Sequence, residues 1–128
     1  MKILIVGGTG QGKGEYARGA YNVPLADGGS CGFDQTATAG GINRLHLLIR
    51  RMLSEGLSPY DTLLKGLISR EDWVIVCDEV GSGIVPAEAF ERDWREAVGR
   101  FCCELAQYAD RVERICCGVP AILREASR

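Results

Sequence analysis

The sequence is poor in the residues that build metal centres, and it has no long apolar run. It contains a single histidine, His46, and none of its six cysteines forms a C-x-x-C pair, so the spacing of a zinc site is missing. No apolar run approaches the roughly 20 residues that span a bilayer, and the N-terminal one is too short for a signal peptide. The net charge of −2 gives no reason to expect nucleic acid as a partner. We therefore expect a cytoplasmic protein without a membrane span.

The length and the positions of the cysteines point to one ordinary domain. A chain of 128 residues can bury its own core, so we expect a single domain over residues 1–128. Cys77 and Cys116–Cys117 lie in apolar, strand-like runs, where a free cysteine behaves as a small buried hydrophobe. We favour that interpretation over a redox or metal-binding role.

The first residues with a chemical signature follow a short apolar run at the N-terminus. A strand is expected at 2–6, and the glycine-rich turn after it has the spacing G-x-x-x-x-G-K of a phosphate-binding loop. Glycines let backbone N–H groups wrap an anion at a helix N-terminus, and Lys13 would reach the terminal phosphates. A turn made for packing alone is the alternative. Gly14 replaces the Ser or Thr that normally holds Mg²⁺. The predicted nucleotide-binding residues are Gly7, Gly8, Thr9, Gly10, Gln11, Gly12, Lys13 and Gly14.

The remaining pattern alternates strands with helices, which predicts an α/β fold with a parallel or mostly parallel sheet. The glycine-rich segment Tyr21–Gly41 has no clear period, and we expect a long loop there. Thr62–Ile68 is a weak strand candidate, with a helical turn as the alternative. Further strands are expected at 73–77 and 112–119, the latter ended by Pro120, and helices at 12–20, 42–55 and 87–109.

Two carboxylates follow the strand at 73–77. Asp78 and Glu79 could hold Mg²⁺ or accept a proton from a substrate hydroxyl, although an acidic pair that caps a turn is the alternative. Ligands of parallel sheets bind beyond the carboxyl ends of the strands, so this pair and the glycine loop are expected to share a crevice. His46 could carry a phosphoryl group, but its leucine neighbours favour a structural helical histidine.

Two parts of the chain resemble one enzyme family closely. Gly7-Gly8 and Gly12-Lys13 match the family's N-terminal loop G-G-x-x-S-G-K-S. Asp78–Pro86 reads D-E-V-G-S-G-I-V-P, close to the family's N-E-V-G-x-G-I-V-P. The family is the bifunctional adenosylcobinamide kinase / adenosylcobinamide-phosphate guanylyltransferase of cobalamin synthesis, and the resemblance covers residues 1–20 and about 73–124. Its other motifs are matched at Arg92, Trp94-Arg95-Glu96, Gly99-Arg100, Ala109-Asp110-Arg111-Val112 and Gly118-Val119-Pro120.

The resemblance implies a P-loop (RecA-like) fold, a mostly parallel sheet flanked by helices, and a trimeric assembly. It implies phosphoryl transfer from GTP or ATP with Mg²⁺ to the aminopropanol hydroxyl of adenosylcobinamide, and GMP transfer through a histidine. Lys13 and Glu79 would be the catalytic residues and Asp78 the metal ligand.

The chain also departs from this family. Tyr21–Gly41 has no counterpart of the family's H-x-x-x-R-P segment, and His46 lies in a different local sequence. Lys65, in Leu63-Leu64-Lys65-Gly66, is the nearest match to an acidic residue that ends a strand in the family. The departures bear more on guanylylation than on kinase chemistry. The alternative is a catalytically degenerate homologue that binds a nucleotide or corrinoid, or pairs with another subunit.

Overall fold

The computed structural model describes residues 1–80 and 87–126, which form a sheet flanked by helices. Residues 81–86, which hold most of the Asp78–Pro86 motif, lie outside the described residues, as do 127–128. The described strands are β1 (Lys2–Gly7), β2 (Leu25–Asp27), β3 (Gly41–Asn43), β4 (Trp73–Asp78), β5 (Arg111–Cys116) and β6 (Val119–Glu125). The described helices are α1 (Lys13–Tyr21), α2 (Leu45–Ser54), α3 (Lys65–Ser69) and α4 (Ala89–Tyr108).

The sheet is mostly parallel, as the sequence predicts. Its order is β2-β3-β4-β1-β5-β6, and only the β5–β6 pair is antiparallel. The central strands β4 and β1 carry uninterrupted apolar runs at 73–77 and 3–6 because helices cover both of their faces. None of the helices in the described part of the chain has both the length and the apolar composition of a membrane span.

Alternate residues of the two central strands enter two separate cores. Ile3 and Ile5 of β1 pack with Ala17 of α1, whereas Leu4 packs with residues of α2 and α4. Phe101 of α4 is fully buried in the second core, so its truncation to alanine should cost about 3–5 kcal/mol. These two layers fix the carboxyl ends of β1 and β4 beside each other.

The predicted long loop at 21–41 is wrong in part, because the segment contains β2 and a 3₁₀ turn at Phe33–Ala37. Strands of three residues are too short to show a period in the sequence. A Cβ at Gly41 would lie 2.4 Å from the carbonyl oxygen of Val74, so glycine lets β3 approach β4. Ile42 belongs to β3 rather than to the predicted helix, which begins after Arg44, a residue with a positive φ of 56°.

The segment Thr62–Ile68 is helical, which confirms the alternative to a strand. A π-helical turn (Tyr60–Leu64) leads directly into α3. Lys65 therefore does not end a strand, and its match to the family's acidic position is wrong. The strand that lies beside β4 on this side is β3, and it ends at Asn43.

The last predicted strand is two strands joined by a tight turn. Cys117 and Gly118 both have positive φ, 52° and 76°, as in the two-residue hairpin turns that match strand twist. Pro120 lies inside β6 and does not end the structure, because an edge strand tolerates proline. Cys77 is buried as predicted, but Cys116 and Cys117 are exposed, so burial is wrong for them.

Candidate functional site

The glycine loop joins β1 to α1 at the carboxyl edge of the sheet. Gly10 and Gly12 have φ of 74° and 83°, a conformation that favours glycine. A Cβ at Gly7 would lie 2.6 Å from the carbonyl oxygen of Ile115, so this position leaves no room for a side chain. The loop thus delivers the N-terminus of α1 to the edge where β1 and β4 end, with the partial positive charge that attracts anions.

Lys13, the first residue of α1, folds back over the loop. Its Nζ donates to the Gly8 carbonyl at 2.6 Å and lies 2.7 Å from Asp78 Oδ1. The side chain is only 7% exposed. The ammonium group is therefore held between the glycine loop and the end of β4, which confirms that these two sequence features share a crevice.

Asp78, the last residue of β4, is bonded to two residues of the glycine loop and its helix. It accepts a hydrogen bond from Thr9 Oγ1 at 2.9 Å and pairs with Lys13. Burial acts to raise its pKa, but the hydrogen bonds from Lys13 and Thr9 and the charge of Lys13 hold the pKa below its ordinary value. Asp78 is therefore ionised at neutral pH, as a metal ligand must be.

His46 is a buried helical histidine, and it lies against Asp78. Its Nδ1 accepts the backbone N–H of Asp78 at 3.1 Å, and its Nε2 lies 3.4 Å from Asp78 Oδ2. Trp94 Nε1 donates to the His46 carbonyl at 2.8 Å. Burial is the main cause that lowers the pKa of His46, and a neutral ring with an accepting Nδ1 carries its proton on Nε2. Sequence alone could not show this contact, because 32 residues separate the partners.

Glu79 has different surroundings from its neighbour. Its carboxylate forms a two-point ion pair with Arg114, with Nε–Oε1 and Nη2–Oε2 distances of 3.1 Å. It lines a cavity of about 350 Å³, which we call the α4 cavity. The cavity is lined by Val6, Asp78, Glu79, Val80, Val98, Gly99 and Cys102.

The second space at this edge is an open cleft of about 540 Å³, which we call the loop cleft. The sequence missed Arg18, Asn43 and Arg44 as parts of its wall, and no local motif marks them. Asp78 lines both the loop cleft and the α4 cavity. The loop cleft is lined by Thr9, Gly10, Gly12, Lys13, Gly14, Glu15, Arg18, Asn43, Arg44 and Asp78.

Three predicted loop residues, Gly7, Gly8 and Gln11, support the loop cleft without lining it. Gln11 holds the β5–β6 turn: its Oε1 accepts the Cys117 N–H at 2.6 Å, and its backbone carbonyl accepts the Gly118 N–H at 2.9 Å. The turn of the β5–β6 hairpin therefore holds the glycine loop in position through these two hydrogen bonds.

The residues of the loop cleft fit a magnesium ion that is bound together with phosphates. Across residues 1–80 and 87–126, no group of three His, Cys, Asp or Glu residues could hold a metal ion alone. Mg²⁺ in phosphate-transfer sites needs only one or two carboxylates, since phosphate oxygens and water supply the rest. The ionised Asp78, with the Thr9 hydroxyl beside it, meets that need although Gly14 offers no hydroxyl.

Comparison with known proteins identifies the family. The family model described as cobinamide kinase / cobinamide phosphate guanyltransferase matches residues 50–123, more than half of the chain. The chain belongs to this family. The match covers Asp78, Glu79 and Arg114 but not the glycine loop, which is supported here by its geometry. No curated protein matches the chain at a significant level.

Proposed function

We propose that this family member binds GTP or ATP in the loop cleft and transfers the terminal phosphoryl group to the hydroxyl of adenosylcobinamide, in cobalamin synthesis. The family supports kinase or nucleotidyltransferase chemistry in general. The observation that carries the proposal is the ion pair of Lys13 and Asp78, 2.7 Å apart, at the mouth of a glycine loop and a helix N-terminus. We further propose the trimer that the family resemblance implies and the cytoplasmic location that the short apolar runs of the sequence predict.

Lys13 and the N–H groups of the glycine loop make the largest contribution to catalysis. On nucleotide binding, the Lys13 ammonium exchanges its Gly8 and Asp78 contacts for oxygens of the terminal phosphates. The loop N–H groups stabilise the charge that develops on those oxygens. Phosphoryl transfer depends largely on such positioning and charge. Magnesium, when bound, neutralises phosphate charge, with Asp78 and Thr9 as its protein partners.

Glu79 acts on the acceptor. Its carboxylate in the α4 cavity takes the proton of the substrate hydroxyl while the hydroxyl oxygen forms a bond to the terminal phosphorus. The bond from that phosphorus to the bridging oxygen breaks, and the nucleoside diphosphate leaves. Arg114 orients Glu79 through the two-point ion pair.

A specific observation makes guanylyl transfer the weaker part of this proposal. Both ring nitrogens of His46 face Asp78, so an attack on phosphorus would require the ring to leave both contacts. His46 instead fixes the position of Asp78. A nucleotide-binding homologue without turnover is the second candidate, favoured by Gly14 and by the lack of an H-x-x-x-R-P segment in Tyr21–Gly41.

The test is an assay with γ-labelled GTP or ATP and cobinamide. We expect label on cobinamide with the wild-type chain and none above background with Lys13→Ala. Saturable nucleotide binding without labelled cobinamide would support the non-catalytic homologue. Label retained on the protein in a His46→Ala variant incubated with α-labelled GTP would exclude this histidine as the guanylyl carrier.

A further inference from the structure

Asn43 occupies a position in the loop cleft that neither the glycine loop nor the acidic pair explains. It is the last residue of β3, the parallel neighbour of β4, so it reaches the same edge as Asp78 at the end of β4. Asn43 lines the loop cleft together with Lys13 and Gly14. An uncharged amide therefore stands among the groups that would meet the phosphates.

The orientation of the Asn43 amide is fixed by its neighbour. The backbone N–H of Arg44 donates to Asn43 Oδ1 at 3.0 Å, and the guanidinium of Arg44 is held by Asp27 through Nε at 2.8 Å. With Oδ1 occupied as an acceptor, Nδ2 is the amide atom turned towards Gly14. Within the described part of the chain, no group accepts a hydrogen bond from Nδ2.

Gly14 and Asn43 form a matched pair. A Cβ at Gly14 would lie 3.0 Å from Asn43 Nδ2 and 3.6 Å from its Cγ. The Asn43 amide therefore occupies the space beside α1 where phosphate-binding loops carry a Ser or Thr side chain. The missing side chain at Gly14 is what gives this amide its room.

We propose that Asn43 Nδ2 donates a hydrogen bond to a terminal phosphate oxygen of the nucleoside triphosphate, at the place of the absent loop hydroxyl. The inference rests on the proposed nucleotide site and adds a residue that discriminates triphosphates from monophosphates. An amide N–H₂ is a donor, so it suits an anionic oxygen and leaves Asp78 as the metal partner.

The test is a calorimetric titration with a non-hydrolysable GTP analogue and with GMP. Asn43→Ala should lower the affinity for the analogue about tenfold, which corresponds to a hydrogen bond to a charged group. The affinity for GMP should fall by less than about twofold. Asn43→Asp keeps the acceptor for the Arg44 N–H but puts a carboxylate oxygen in place of Nδ2. Asn43→Asp should fold like the wild type, and it should lower the affinity for the analogue more than Asn43→Ala does. Gln107→Ala, which removes an exposed amide on α4, should change neither affinity.

A second variant tests the pairing itself. Gly14→Ser restores the usual loop residue, but its Cβ would contact Asn43 Nδ2. The single variant should therefore lower the affinity for the analogue. Combining it with Asn43→Ala should recover part of that loss. Unchanged affinity in both Asn43 variants, with a loss in Lys13→Ala, would overturn this inference alone. Unchanged affinity in Lys13→Ala as well would overturn the proposed function.

Discussion

The loop cleft and the α4 cavity share one wall at the end of β4, and they differ in their chemistry. Asp78, which lines both, is bonded to Lys13 and Thr9 and supported by His46. Glu79, the next residue, pairs with Arg114 and lines only the cavity. In the proposed function, these two adjacent carboxylates would therefore take different roles: Asp78 would serve the anionic donor and Glu79 the hydroxyl acceptor.

The loop cleft and the α4 cavity also differ in the polarity of their walls. The loop cleft is walled by Lys13, Arg18, Arg44 and the helix N-terminus, which suit phosphate. The α4 cavity has Val6, Val80 and Val98 in its wall, which would suit the less polar, hydroxyl-bearing arm of the proposed acceptor. Substitutions at Asp78 should therefore affect both regions, and those at Glu79 only one.

The largest effect is expected from Asp78→Asn. The change removes the charge that faces Lys13 and the metal partner, so phosphoryl transfer should fall about a thousandfold. Steady-state assays with cobinamide as acceptor measure this loss. A variant with wild-type turnover would show that the shared wall carries no catalytic charge.

A smaller and more selective loss is expected from Glu79→Gln. Without a proton acceptor, turnover should fall about a hundredfold, while nucleotide affinity stays unchanged because Glu79 does not line the loop cleft. Arg114→Ala should also lower turnover without changing nucleotide affinity, but by a smaller factor. Parallel assays of turnover and of nucleotide titration check it, and an equal loss in both would remove the distinction between the two regions.

The histidine beneath the loop cleft predicts a pH dependence of stability. Burial lowers the pKa of His46, so near its unfolded value of about 6.5 the unfolded chain takes up a proton that the folded chain does not. The free energy of unfolding should therefore rise with pH across that value. Because His46 is the only histidine, urea unfolding of His46→Gln should lose this slope, and an unchanged slope would contradict the buried neutral ring.

The smallest effect is expected from Asp27→Asn, which is outside both regions. Hydrogen bonds from Arg44 and the Gly29 N–H lower the pKa of Asp27 to about 2. Its stabilisation is present above the unfolded value of about 3.9 and is lost as pH falls towards 2. For so exposed a pair we expect at most about 1 kcal/mol at neutral pH. Acid unfolding curves measure it, and a larger loss would mean that Arg44 anchors the loop cleft more strongly than the contacts indicate.

The sequence predicts those parts of the fold whose signals are local. The uninterrupted apolar runs of β1 and β4, the glycine loop and the long amphipathic helix α4 are all confirmed. β2 and β3 were missed because three residues show no period. The β5–β6 hairpin was missed because Cys117 has no glycine-like signature and Pro120 suggested an end.

The same difference between local signals and long-range packing applies to the candidate site. Lys13 and Asp78 could be paired from their motifs, since both follow strands that end at one edge. His46, Asn43 and Arg114 reach this edge only through the packing of α2, β3 and β5. Their roles depend on contacts between distant segments, which no spacing in the sequence records.

The most direct test of the central claim is a calorimetric titration of Lys13→Ala with a non-hydrolysable GTP analogue, beside Arg114→Ala, which removes the ion-pair partner of Glu79, as the control. A loop cleft that binds nucleotide through the Lys13 ammonium predicts a loss of more than about tenfold in affinity for Lys13→Ala and unchanged affinity for the control. Wild-type affinity in Lys13→Ala would contradict the claim that this loop is a nucleotide site.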